Sequence, residues 1–247
     1  MIKNGIPPLA AGLGLAGAAG LLSLAVTGML YSPTIVKRKA YFAFRFKDVM
    51  RVNNVRQSGK IGQDEEKNPR DFYDRSIWEQ KSISDPESLK RLMREGVEHS
   101  SVVCVLVGTD TWQGRWVKYE IARAVLDKKG LLAVDINGLP HVQTRKSEPL
   151  GINPLAIMGV YAGSNGKVYL AENKWVPSVS NPAQYEWRWS RYDDFTDPVS
   201  CPQYLTLKSN SHVTALSEGT WRYDYLSENG MQKLGMWLDT AARQVSR

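Results

Sequence analysis

Apolar and polar positions divide this chain sharply at residue 37. From Asn4 to Val36 no side chain is charged at neutral pH, and the apolar stretch from Ile6 to Tyr31 ends just before the basic triplet Lys37, Arg38 and Lys39. About 20 apolar residues suffice to cross a hydrocarbon core of about 30 Å as a helix, so residues 6–31 are expected to form a membrane anchor held in lipid. Three basic residues follow the span and only Lys3 precedes it. The bias of Lys and Arg toward the cytoplasmic flank then places the amino terminus outside and the rest of the chain inside, at a cell inner membrane crossed once. The rival reading is a cleaved secretory signal with the small-residue site Ala16-Gly17-Ala18. The continued apolar run and the lone Lys3 count against it. Gly12, Ala16 and Gly20 share one face of such a helix, a spacing that lets two spanning helices approach. Gly12 to Gly17 also spells GxGxxG, but no strand precedes it, and a glycine-rich span accounts for it.

Beyond the triplet the periodicity changes to alternating strands and helices. AYFAFRF (40–46) has strand character, and the segment from Asp48 to Gln57 suits a helix. Residues 58–70 are polar and turn-rich and read as a loop. Asp85-Pro86 supplies an N-cap and a first-turn proline for a helix whose apolar face is Leu89, Leu92, Met93 and Val97. Ser101 to Val107 is apolar without alternation, as in a central parallel strand covered on both faces. A helix from Trp116 to Leu126 and a strand from Leu131 to Ile136 follow. This order implies a doubly wound α/β sheet with ligands outside the carboxyl ends of its strands. After Pro154 come short aromatic segments at Val160-Tyr161, Val168 to Leu170 and Tyr185 to Trp189, read as hairpins packed on that sheet. A final helix from about Ser227 carries Met231, Leu234, Trp237, Leu238, Ala241 and Val245 as an apolar stripe. The expected division is residues 1–36 anchor, 37–160 α/β core and 161–247 a carboxyl-terminal β-hairpin and helix addition.

Composition alters this picture little. The part after the anchor, about 208 residues, suffices for one good-sized core. Lys plus Arg exceed Asp plus Glu by 32 to 25, but three of that excess flank the span, and the rest is too scattered to indicate nucleic acid. Cys104 in an apolar run and Cys201 in a proline-flanked loop fit reduced thiols. His99, His141 and His212 make no metal-ligand spacing, and no phosphate-binding P-loop or GxSxG elbow is present. No cofactor or metal is expected.

Four pieces converge where the strand ends should meet: FRF (44–46), FYDRSIWE (72–79), Gly108-Thr109 and RWVKYEI (115–121). Together with LKRLMREGVEHSSVVCVLVGTDTWQGRWVKYEIARAV and AVDINGL, their order resembles the Toll/interleukin receptor-like (TIR-like) domain of the Thoeris antiphage defence ThsB family. The resemblance runs from about Lys39 through Ile136, and more loosely through Asn153-Pro154, Trp175 and Tyr223 to Trp237. It implies a flavodoxin-like α/β fold and a hydrolase-type activity that cleaves the nicotinamide glycosidic bond of NAD, the substrate. The product implied is an ADP-ribose-type signal, cyclic in the family, read by a separate downstream effector. The glutamate of the family's W-x-x-x-E helix falls on Glu120.

The residue chemistry suits that expectation. Loss of nicotinamide leaves an oxocarbenium-like ribose that a carboxylate can stabilise. Trp78, Trp116 or Phe46 could stack on a ring, Arg45 could pair with the pyrophosphate, and Asp74 could bind a ribose hydroxyl. Each has a plainer reading: Glu120 as a surface carboxylate paired with Lys118 or Arg123, the tryptophans as core, Arg45 and Asp74 as an ion pair, Thr109 as a strand terminator. A different class, a non-catalytic TIR-like scaffold or sensor acting through protein contacts at the membrane, is the alternative. A nucleoside-transferring α/β enzyme ranks third. Homo-oligomerisation is compatible with each.

Overall fold

The computed structural model describes residues 38–58, 85–208 and 212–247. The expected anchor at 6–31, the loop at 58–70 beyond its first residue, and the expected site residues Asp74 and Trp78 lie outside the described residues. Among the described residues no helix is long and apolar enough to cross a membrane.

Four strands, β1 (Ala40–Ala43), β2 (Val102–Val107), β3 (Gly130–Asp135) and β8 (Trp221–Asp224), form a wholly parallel sheet in the order β1-β2-β3-β8. Ala40 stands beside Val102, Val102 beside Gly130, and Leu132 beside Trp221, so every carboxyl end reaches the same edge. The apolar run read as a central strand is β2, flanked on both sides and buried at all six positions. Alternation splits its side chains between two cores. Val103, Val105 and Val107 join Leu131 and Ala133 beneath helix α3 (Arg115–Leu126), together with Val97 of helix α2 (Pro86–Glu98). Val102, Cys104 and Leu106 join Leu132 and Val134 beneath helices α1 (Val49–Ser58) and α4 (Gly230–Arg243). A parallel sheet with helices on both faces is the doubly wound α/β arrangement, and it fits a flavodoxin-like fold.

Helix starts follow the expected chemistry where a cap exists. Asp85 Oδ1 accepts the Ser88 amide at 3.1 Å, and Pro86 opens α2. The first strand is shorter than expected and ends at Ala43. Extended Arg45 leads instead into a 3₁₀ turn, Phe46–Asp48, that feeds α1. The terminal helix starts at Gly230 rather than near Ser227, and Met231 is 60% exposed, off the apolar stripe. Trp237 instead fixes α4 by stacking flat on Tyr223 of β8, centroids 4.3 Å apart.

The aromatic segments after Pro154 build a second, antiparallel sheet. Its strands are β4 (Met158–Ala162), β5 (Val168–Pro177), β6 (Tyr185–Arg191) and β7 (Thr214–Ala215), ordered β6-β5-β4-β7. The β4–β5 turn depends on Gly166 at φ +74°, a left-handed conformation that favours glycine. Met158, Val160 and Leu170 of this sheet enter the α3 core. The boundary drawn at 160/161 is crossed, because β8 and α4 return from the carboxyl-terminal part to complete the parallel sheet and cover one face. Arg38 of the basic triplet serves the domain too. Its Nε lies 2.7 Å from Asp239 on α4, with both side chains largely buried.

Candidate active site

Glu120 lies on the buried stripe of α3, between Val117 and Ala124 at helical spacing, and has no exposed surface. Tyr41 of β1 donates its hydroxyl to Glu120 Oε1 at 2.7 Å. The two surface partners considered for this carboxylate are engaged elsewhere. Lys118 Nζ lies 2.6 Å from Glu172 Oε1, and Arg123 grips Asp127 with two nitrogens one turn along the helix. Burying a carboxylate in an apolar stripe costs several kcal/mol unless it is hydrogen-bonded or paired. Glu120 is therefore a built-in interior carboxylate and not a solvated helix charge.

The carboxyl ends of β1 to β3 carry a polar rim. Arg45 follows β1, half-buried, with Nη1 3.4 Å from the Asp110 carbonyl. Phe46 begins the next turn and is also half-buried. Behind them Asp48 and Arg51 are almost fully buried, with Arg51 Nη1 2.9 Å from Asp48 Oδ1. Arg51 also donates from Nε to the Leu139 carbonyl at 2.9 Å and places Nη2 3.1 Å from Glu148 Oε1. Thr109, expected to end the strand, lies beyond β2 in the following turn, and its hydroxyl donates to the Pro149 carbonyl at 2.7 Å. This clamp ties β1, β2 and the loop after β3 together.

Charge in the clamp is uneven. Burial pushes the Asp48 carboxyl up, and the Arg51 hydrogen bond opposes this only in part. For Glu148 burial also acts upward, but the Arg51 hydrogen bond and the Arg51 and Lys47 charges outweigh it and hold the carboxyl below its ordinary value. Asp48 Oδ2 and Asn137 Oδ1 are buried acceptors without a hydrogen-bond partner among the described residues. Gly108 must lack a side chain, since a Cβ there would fall 2.3 Å from Asp48 Oδ2.

The structure thus gathers Arg45 and Phe46 at the strand-end rim and sets Glu120 deeper, against Tyr41. Trp116 faces another way. It packs edge-on against Tyr119, centroids 6.2 Å apart, beside Leu89 and Met93, with the Arg115 guanidinium over its ring. Its role in this arrangement is packing between α2 and α3. A cavity of about 250 Å³ beside the start of α3 is lined by Gln113, Arg115, Lys118, Glu172, Tyr192, Asp193 and Asp194. Glu120 is not among them. Cys104 and Cys201 are free thiols, and burial raises the pKa of both. No group of His, Cys, Asp or Glu among the described residues could hold a metal ion.

Sequence reasoning did not single out Tyr41, Arg51 or Glu148. The Asp48–Arg51 spacing, i to i+3 at a helix start, was visible, as was the place of Glu120 on the apolar stripe. Glu148, in the loop after β3, offered no local signal.

A doubly wound α/β sheet with a buried carboxylate on the helix after its central strand defines the class of this protein. Within it, residues 41–141 match the family model described as Thoeris protein ThsB, TIR-like domain. The chain is also similar to a Bacillus cereus (strain MSX-D12) protein named "Putative cyclic ADP-D-ribose synthase ThsB1". The two are 27% identical over 209 residues, covering 82% of this chain and 99% of that protein.

Proposed function

We propose that this chain is a TIR-like enzyme that cleaves the bond between nicotinamide and ribose in NAD and yields an ADP-ribose-type product, cyclic like that in the relative's name, as a signal in antiphage defence. The observation that carries the reading is Glu120: a fully buried carboxylate that accepts the Tyr41 hydroxyl, inside the segment that matches the TIR-like domain. As the glycosidic bond breaks, nicotinamide leaves with the bonding electron pair, and positive charge develops on the ribose. Glu120 stabilises that charge, and Tyr41 holds the carboxylate in orientation. Capture of the cation by water gives ADP-ribose, and capture by a nucleophilic atom of the same molecule gives a cyclic product. Arg45, at the rim, pairs with the pyrophosphate, and Phe46 offers a ring face. Asp74 and Trp78 keep the ribose and stacking roles that the family resemblance implies. Residues 6–31 anchor the chain in the inner membrane, and a downstream effector reads the product.

A specific observation favours one competitor. The Tyr41–Glu120 bond also joins α3 to β1, so a purely structural tie within a non-catalytic scaffold would use the same two groups. Nicotinamide release from NAD separates the two readings when measured with the detergent-solubilised full chain and in infected cells. The enzyme reading expects release by the wild type and a loss of roughly 10²- to 10³-fold in a folded Glu120→Gln protein. No release in either setting, or undiminished release by Glu120→Gln, hands the site to the scaffold.

A further inference from the structure

β6 is the outer strand of the antiparallel sheet, and no strand among the described residues covers its far side. The direction of its free backbone groups follows from its pairing with β5. The Ser178 amide donates to the Gln184 carbonyl at 2.8 Å, and the Tyr192 amide to the Leu170 carbonyl at 3.0 Å, on the same ladder that sets Trp175 beside Trp187. Even-numbered residues of β6 therefore bond inward to β5. The amides and carbonyls of Tyr185, Trp187 and Trp189 point outward, because both groups of a residue face the same way and alternate along an antiparallel strand. The outward residues are aromatic. Tyr185 is 54% exposed and Trp187 39%, and with the half-exposed Trp175 they form a run of touching rings, Trp175–Trp187 at 5.3 Å and Trp175–Tyr185 at 6.2 Å. Soluble proteins usually blunt such edges with charge, a bulge or a covering segment. Here the only charges within the strand are Glu186, Arg188 and the terminal Arg191.

We infer that β6 pairs antiparallel with β6 of a second copy of this chain, about a two-fold axis through Trp187. Charge selects both the occupant and the register. In an antiparallel self-pair centred on Trp187, Glu186 of each copy stands opposite Arg188 of the other, Tyr185 stands opposite Trp189, and Trp187 meets itself. The outward groups of residues 185, 187 and 189 then bond across the axis. Moving the centre by one residue puts Arg188 against Arg188 or Glu186 against Glu186, and like charges directly opposite destabilise a strand pair. The strand is thus self-complementary in one register, as a two-fold interface requires. Pairing would join the two antiparallel sheets and merge their aromatic faces. Trp187 also touches Trp112, centroids 5.6 Å apart, in the loop between β2 and α3, so the second copy would rest against the segment leading to Glu120. The inference does not depend on the catalytic reading.

One short strand pair buries less than the roughly 1,200 Å² of a stable interface, so the dimer is expected to be weak and must be sought across a concentration series. The test is the molar mass of the detergent-solubilised full chain by light scattering or sedimentation, corrected for bound detergent. The expected result is a rise toward two chains with concentration. Trp187→Pro deletes an outward amide and leaves the β5–β6 bonds intact, so it should hold the chain monomeric. The exposed charges provide a fold-neutral check. Glu186→Arg alone and Arg188→Glu alone should each weaken self-association, by up to about tenfold. An equimolar mixture of the two should recover the wild-type affinity, because each copy then offers the charge the other needs. That recovery cannot arise from the Glu186–Arg188 pair within one chain, since neither variant contains it. A single-chain mass throughout, a dimer indifferent to all three changes, or a mixture no tighter than its components would overturn the proposal.

Discussion

Tyr41 and Glu120 meet across 79 positions of sequence through one hydrogen bond, and each side of that bond predicts a different outcome when changed. Tyr41→Phe keeps the ring that lies against Gly96 and removes one donor to a buried carboxylate. A hydrogen bond to a charged group contributes about 1.5–3 kcal/mol, so the melting temperature should fall. If Tyr41 positions the catalytic carboxylate, nicotinamide release should also drop, less than with Glu120→Gln and through kcat rather than KM. A fall in stability with unchanged kcat would assign Tyr41 to packing alone. Gly108→Ala tests the rim independently. Its Cβ would strike a fully buried carboxylate held by Arg51, and overpacking of that kind costs about 1–3 kcal/mol in chemical denaturation. The legible part of this site was the part with local pattern. Glu120 was singled out by the family resemblance that WVKYEI carries after an apolar strand, and Arg45 and Phe46 by their place at the end of the first strand. Tyr41 was not legible, because one aromatic among four in AYFAFRF carries no mark of where its hydroxyl ends.

At the level of elements, the loop after β3 is held by Glu148, and its acid sensitivity follows from the direction of its pKa. The folded value lies below the ordinary glutamate value near 4.5. Its contribution to stability is therefore present above about that pH and is lost as pH falls through the lowered value. Asp48 has the opposite sign: burial raises its value, so its contribution weakens as pH rises. Melting temperature measured from pH 3 to 7 should fall on the acid side for the wild type and fall less for Glu148→Gln. An identical acid limb in both would show that the Arg51–Glu148 contact contributes nothing measurable. The elements found from sequence were those with a strong period or a cap: α2 from Asp85-Pro86 and its stripe, β2 from its continuous apolar run, α3, β3 and most of the second sheet. β8 was missed. Its four residues, Trp221 to Asp224, alternate too briefly for a period, and Trp221 is 49% exposed at the sheet edge. Only pairing with β3 makes it a strand, which is tertiary information.

For the whole molecule, the proposed anchor predicts that the α/β domain lies on the inner side of a bilayer, and the sequence argument rests on charges at either end of residues 6–31. Arg38 is half committed to the domain through Asp239, but its positive charge still counts toward orientation, together with Lys37 and Lys39. A cysteine at Asn4 and one at Val179, a loop position that is 81% exposed, place a reporter on each side of the predicted span. Cys104 is buried and Cys201 partly so, and Cys201 should first be changed to serine to remove background. A membrane-impermeant maleimide applied to intact cells should label Asn4→Cys and leave Val179→Cys untouched until the cells are opened. Protection at residue 4 with labelling at 179 would reverse the orientation. A mature chain beginning near Ala19 would replace the anchor by a cleaved signal. Protection of both in intact cells, with the protein released by simple lysis, would mean that residues 6–31 do not span at all. In that case the NAD chemistry proposed for Glu120 would stand or fall unchanged, because none of the residues assigned to it lies before Arg38.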